Sequence, residues 1–105
     1  MPSPFTQNVF AYGTLLDIAT RNEVFGRRVP GVRASLTGWK KKYDDEGFPY
    51  LERATGLAPS KVSGLLLELT TADLAKLDAW ETKYHRIKVK LDDGTAAWAY
   101  EEAGH

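Results

Sequence analysis

Two carboxylates near the end of one short segment are the first residues whose spacing suggests chemistry. In Leu74-Ala75-Lys76-Leu77-Asp78-Ala79-Trp80-Glu81 the two leucines stand three apart and define an apolar stripe at helical period. Trp80 and Glu81 lie three and four residues beyond Leu77, and Asp78 lies four beyond Leu74, so all three continue that face. Desolvation on the apolar side of a helix raises a carboxyl pKa, and a like-charged neighbour one turn away raises it further. A Glu81 placed in this way could exchange protons near neutral pH, which general acid–base catalysis requires. The spacing leaves another arrangement open. A helix that stops at Trp80 would make Glu81 a solvated terminal residue, and Asp78 could hydrogen-bond a loop.

The second feature is the junction Val9-Phe10-Ala11-Tyr12-Gly13-Thr14-Leu15-Leu16. Gly13 permits positive φ, and the amides of Thr14, Leu15 and Leu16 would open a helix without intrahelical acceptors. Such N–H groups can hold an anion or a developing oxyanion, although ordinary strand–glycine–helix turns look the same. Other polar residues carry less. His85 and His105 have no partner at metal-ligand spacing, so no metal site is expected. Lys40-Lys41-Lys42 is offset by Asp44, Asp45 and Glu46, and no phosphate loop of the G-x-x-x-x-G-K-[ST] type occurs.

These residues need a scaffold, and its elements are legible. Asn8–Tyr12 is β-branched and aromatic and reads as a short buried strand. Thr14, with Asp17 three residues on, predicts a helix running through Ile18 to about Phe25 and stopped by Gly26. Val32–Tyr43 reads as a strand with a fault. Val32, Ala34 and Leu36 share one face, Trp39 and Tyr43 have the opposite parity, and a bulge or bend at Gly38 would restore the register. Phe48–Leu51 begins another extended piece, and residues 54–61 read as loop. Val62–Leu69 is apolar on both faces, as a central strand would be. Thr70 and Asp73 form a capping box for a second helix ending near Glu81–Lys83. Ile87, Val89 and Leu91 alternate with basic residues, and Asp92-Asp93-Gly94-Thr95 turns the chain into Ala96–Tyr100.

The 105 residues suit one domain, expected to span 1–105. Fourteen basic and fourteen acidic residues balance to a formal net charge of zero, which offers no general attraction to nucleic acid or an anionic membrane. Cysteine is absent, which excludes disulfides and thiol catalysis. With no long apolar run and no signal-peptide pattern in residues 1–8, a cytoplasmic protein is expected, acting as a monomer or weak homodimer.

Taken in order, Y-G-T-L (Tyr12–Leu15), G-W (Gly38-Trp39), F-P-Y-L (Phe48–Leu51), V-S-G-L-L-L-E-L (Val62–Leu69), L-D-A-W-E-T-K-Y-H-R (Leu77–Arg86) and W-A-Y (Trp98–Tyr100) resemble the γ-glutamylcyclotransferase-like family, in particular its short bacterial and plant branch. The resemblance implies an α+β fold: a small mixed β-barrel of about six strands with two flanking helices. It implies an enzyme that converts a γ-glutamyl amine or amide to 5-oxoproline and free amine, without metal or organic cofactor. By the same resemblance Glu81 is the catalytic acid/base, and Tyr12, Gly13, Thr14 and Leu15 hold the glutamyl group, with Tyr100 at the pocket border. Thr14 stands where the family commonly has Ser. The turn and Glu81 would then have to line one cavity. The alternative on the same fold is a non-catalytic module that binds a small ligand or a protein.

Overall fold

Apolar residues on both faces force the first strand into the middle of the sheet. The computed structural model describes residues 6–54, 56, 60–82 and 84–102. In chain order these form β1 (Gln7–Ala11), a 3-10 turn (Thr14–Leu16), α1 (Ile18–Phe25), β2 (Gly31–Thr37), β3 (Trp39–Tyr43), β4 (Pro49–Arg53), β5 (Lys61–Leu69), α2 (Thr71–Trp80), β6 (Tyr84–Lys90) and β7 (Ala96–Glu102). One mixed sheet has the order β2-β5-β1-β7-β6, and β3 and β4 form a separate hairpin. β1 runs antiparallel to β5, with Val9 opposite Leu67, and parallel to β7, with Val9 opposite Trp98.

Alternation along the central strands separates two cores. Phe10, Leu36, Trp39, Leu51, Val62, Val89 and Ala97 meet in one cluster to which each of the seven strands contributes, so it is the inside of a barrel. The hairpin joins this enclosure by packing β3 against β5 and β4 against β7. Val9, Leu67, Leu69 and Tyr100 point the other way and pack with Phe25, Leu74 and Leu77 from the helices. The fold is therefore α+β, with a mixed barrel and two helices on one side of it.

The strand count exceeds the expected six because the segment over residues 32–43 divides. Gly38 has φ +94°, a left-handed conformation that favours glycine, and it separates β2 from β3 so that they join different sheets. This break lets Leu36 and Trp39, of opposite parity, both enter the barrel core. Val32 and Tyr43 do not share that burial. They sit toward the outer ends of the two strands and are 67% and 62% exposed. Of the expected loop over residues 54–61, positions 55 and 57–59 lie outside the described residues. Among the described residues no helix is long and apolar enough to cross a membrane.

The first helix stops at the expected Gly26 but starts late, and the second ends at Trp80, just short of the expected Glu81–Lys83. Thr14 does not cap the first. Residues 14–16 form their own 3-10 turn, and Asp17 is the N-cap, its carboxylate accepting from the Thr20 amide at 3.0 Å. Gly26 closes α1 in the left-handed conformation. α2 has the complete capping box: the Thr70 hydroxyl accepts from the Asp73 amide and the Asp73 carboxylate from the Thr70 amide. Asp73 is buried and also pairs with Arg27, just beyond α1, which ties the two helices together. Burial alone would raise the Asp73 carboxyl, yet hydrogen bonds from Arg27 and Thr70 hold it below its usual value.

Asp73→Ala should therefore destabilise the protein by about 1–3 kcal/mol at neutral pH, through the lost cap and the unpaired Arg27. A depressed carboxyl stabilises fully above the unfolded-state pKa and loses that effect as pH falls through the folded value. The gap between wild type and variant in urea unfolding should thus close on acidification. Equal urea midpoints at neutral pH would remove Asp73 from the structural account.

Candidate active site

A cavity of about 260 Å³ opens where the end of β1, the 3-10 turn, the start of β4 and the end of α2 converge. Tyr12, Gly13, Thr14, Leu15, Glu81 and Tyr100 all line it, so the residues singled out in the sequence come together in space. Their roles in a reaction are a separate matter, taken up below. Phe48, Pro49, Trp80 and Tyr84 complete much of the wall and were not singled out.

Gly13 is required here for closeness. Its φ is −132°, not positive as the sequence suggested, but a Cβ at this position would lie 2.6 Å from Cγ of Pro49. A side chain would thus force the turn off the β3–β4 hairpin. The turn then spends part of its own hydrogen-bonding capacity: the Leu16 amide donates to the Gly13 carbonyl at 3.0 Å and the Asp17 amide to the Thr14 carbonyl at 3.2 Å. Leu16 is accordingly lost as an anion donor. The Thr14 and Leu15 amides donate to no carbonyl among the described residues, and both residues line the cavity.

Arg21 holds this turn from behind. It is only 5% exposed, and its guanidinium donates to the carbonyls of Leu15 (2.9 Å), Leu16 (3.0 Å) and Val29 (2.9 Å). Those carbonyls would otherwise be left near the protein interior without partners, an expensive arrangement. Sequence reasoning missed Arg21 because an arginine on a short helix reads as solvent-facing, and no pattern announces backbone carbonyls as its partners.

The two tyrosines shape the floor. The Tyr12 hydroxyl donates to the Tyr100 carbonyl, locking the end of β1 to β7. The Tyr100 hydroxyl donates to the Asp78 carboxylate at 2.6 Å. Burial, followed by nearby negative or ionisable groups including Tyr84 and Glu81, pushes the Tyr12 phenol well above its ordinary value. Burial and the bond to Asp78 do the same for Tyr100. Both phenols therefore stay protonated at neutral pH and act as donors and walls rather than as bases. Tyr84 adds a third anchor by donating to the Pro49 carbonyl at 3.0 Å.

Glu81 reaches the cavity by a route the helical count did not foresee. α2 ends at Trp80, which is 45% exposed and not part of the buried stripe. Glu81 is the C-cap at φ −89°, ψ 58°, its amide donating to Leu77 and its carbonyl accepting from Tyr84. This turn out of the helix swings the side chain inward, so Glu81 is partly buried although the helix is over. Burial pushes its carboxyl up to about 7, and no hydrogen bond or ion pair to another described residue offsets that. Repulsion from Asp78 is not the cause. The Asp78 carboxylate is 41% exposed and accepts from Arg86 Nε at 2.8 Å as well as from Tyr100, so its charge is compensated away from Glu81. His85 pairs with Glu101 at 3.3 Å, and His105 lies outside the described residues.

A barrel with this cavity, turn and buried carboxylate defines a class of small α+β proteins to which known structures can be compared. Residues 9–104 match the family described as Gamma-glutamyl cyclotransferase, AIG2-like, and the chain belongs to that family. Two Arabidopsis thaliana proteins solved in solution superpose over 97% of this chain with TM-scores of 0.80, at 24% and 26% identity. The chain spans 65% of the length of the first, just under two thirds, and 72% of the second. A structure named Gamma-glutamyl cyclotransferase superposes over 93% of this chain and 67% of its own, with a TM-score of 0.71 and 18% identity, a likeness of fold. No match was found among curated proteins.

The burial of Glu81 has a thermodynamic signature. A folded-state carboxyl raised to about 7 binds a proton that the unfolded chain has released, so stability must fall as pH rises from the unfolded value toward 7. Glu81→Gln should abolish that slope and be the more stable protein by roughly 1–3 kcal/mol above neutrality. Urea unfolding of both proteins on either side of the window checks this. Parallel stability curves would show that the carboxylate is solvated in the native state.

Proposed function

We propose that the chain is a γ-glutamyl cyclotransferase that converts a γ-glutamyl amine or amide to 5-oxoproline and the free amine. The observation that carries this reading is the convergence in one cavity of a carboxyl poised at about 7, without a partner among the described residues, and the Tyr12–Leu15 turn. Membership of the family and the fold shared with a structure named Gamma-glutamyl cyclotransferase support it.

In this mechanism the α-nitrogen of the glutamyl group attacks its own γ-carbonyl carbon. A carbon–nitrogen bond forms to close the five-membered lactam, and the bond from that carbon to the leaving nitrogen breaks. At neutral pH the α-amine is largely an ammonium and has no lone pair to offer. Glu81 takes a proton from it and delivers one to the departing nitrogen, which prevents expulsion of an amide anion. Two protons pass from the α-nitrogen to the leaving nitrogen in all, and the carboxyl ends as it began. The Thr14 and Leu15 amides donate to the oxyanion of the tetrahedral intermediate, a single such donor typically contributing ~3–4 kcal/mol. Arg21 keeps the turn in place by occupying its carbonyls. Because nucleophile and electrophile belong to one molecule, the cavity's remaining task is to hold a folded substrate conformer. The chemistry needs no metal or organic cofactor.

Wild-type protein incubated with γ-glutamyl amines should release 5-oxoproline, and the acidic limb of kcat/KM should have its midpoint near 7. Glu81→Gln, which keeps the shape but not the proton exchange, should lower turnover by ~10²–10⁴-fold and remove that limb. Near-native turnover by a folded Glu81→Gln protein would make Glu81 a structural residue. Absence of 5-oxoproline across the series would leave a binding module.

A further inference from the structure

Tyr12, Tyr84 and Tyr100 line the cavity together with Glu81, and the proton of each phenol is already committed elsewhere. Tyr12 donates to the Tyr100 carbonyl, Tyr84 to the Pro49 carbonyl at 3.0 Å, and Tyr100 to Asp78 Oδ1 at 2.6 Å. Carbonyls and carboxylates have no proton to give, so the direction of each bond is fixed, and a phenol has only one O–H. Toward the cavity these oxygens can therefore only accept. This is why a carboxyl surrounded by three hydroxyls has a hydrogen bond from none of them.

Tyr12 and Tyr84 are tied to backbone, but the acceptor for Tyr100 is a side chain that must itself be held in place. Arg86 Nε donates to the same Asp78 oxygen at 2.8 Å, and its guanidinium lies 4.5 Å from the ring centre of Trp98. Trp98 Nε1 in turn donates to Gln7 Oε1 at 3.2 Å. A series of contacts from β1 through β7 and β6 to the last turn of α2 thus sets the position of Asp78. The titratable and charged groups around Glu81 are Tyr12 on β1, Asp78 on α2, Tyr84 and Arg86 on β6, and Tyr100 and the His85-paired Glu101 at the start of β6 and the end of β7. Of these, the Tyr100 phenol feels the charges of Asp78, Arg86 and Glu81 together. Released from Asp78, its proton would turn to the Glu81 carboxylate and stabilise the charged form.

We propose that Asp78, held by Arg86, is a positioning residue that keeps the Tyr100 proton away from Glu81. Glu81 is then left for the substrate, and the Tyr100 oxygen is left to accept from a donor, the α-nitrogen of the glutamyl group. The part that concerns the substrate rests on the cyclotransferase reading. The tie between Asp78 and Tyr100 is a property of the folded chain and can be tested without turnover.

The Glu81 titration is followed by NMR through its carboxyl carbon in glutamate-labelled protein, the signal being assigned by its loss in Glu81→Gln. Asp78→Asn and Asp78→Leu both remove the charge, but only Asn keeps an acceptor for Tyr100. The Glu81 midpoint in Asp78→Leu should lie about 1 pH unit or more below that in Asp78→Asn, because the released phenol donates to the carboxylate. Adding Tyr100→Phe to both should erase the gap. Tyr100→Phe alone should leave the wild-type midpoint within ~0.3 unit, which decides the matter if Asp78→Leu does not fold. Equal midpoints in the Asn and Leu proteins overturn the inference. So does a gap that survives Tyr100→Phe, or a larger rise in the single Tyr100→Phe protein. Where 5-oxoproline forms, the acidic limb of kcat/KM should move with the NMR midpoint, and a limb that stays while the carboxyl titration moves overturns the positioning role. If no 5-oxoproline forms, the cyclotransferase reading fails by itself, and the titrations still uphold or overturn the tie between Asp78 and Tyr100.

Discussion

β1 has the barrel core on one face and the helices on the other, with β5 and β7 hydrogen-bonded along its edges. A strand enclosed on four sides can be shifted only by disturbing both cores, and interiors packed at this density have few alternatives. The turn that follows it therefore inherits a fixed origin. Tyr12, at the end of the strand, bonds to the Tyr100 carbonyl on β7, and Gly13 lets the chain pass against Pro49 on β4. The cavity exists because β1, β4, β7 and the end of α2 meet at this point.

Two buried or half-buried polar systems then do opposite things with charge. Arg21 puts a cation inside and surrounds it with backbone carbonyls, which converts a desolvated guanidinium into a brace for the turn. Glu81 puts a carboxyl inside and gives it no counter-charge among the described residues, which leaves its proton loosely poised. The neighbouring acid, Asp78, is treated differently again. Arg86 and the Tyr100 hydroxyl satisfy it, so it fixes the floor of the cavity and contributes no repulsion to Glu81. The end of one helix thus carries one acid that is paired and one that is partly buried without a partner among the described residues, and their different surroundings separate them.

Much of the architecture was legible because it rests on local rules. Strand periodicity, the capping box at Thr70 and Asp73, the stop at Gly26 and the break at Gly38 each follow from the conformational preferences of a few adjacent residues. The late start of α1 was hidden by a competition between two plausible caps. Thr14 and Asp17 both suit the role, and a 3-10 turn consumes the first before the α-helix begins at the second. Val32 was misjudged for another reason: its place in the alternating pattern was right, but alternation says nothing about where the core ends.

By itself the sequence determined the two chemical features and the kind of scaffold that carries them: a glycine turn after a buried strand, an acid near the end of an apolar helix, and a mixed α+β order of elements. These are written in types and spacings of residues close along the chain. Only the tertiary structure decided that Glu81 is buried, since the helix ends before it and the cavity wall from β1, β4 and β7 desolvates it. Only the tertiary structure chose Gly13 for its contact with Pro49, Arg21 for the carbonyls it braces, and Phe48 with Trp80 for the cavity wall. Each of these depends on atoms brought together from distant parts of the chain, and their energies arise from desolvation and close contact, which periodicity does not encode.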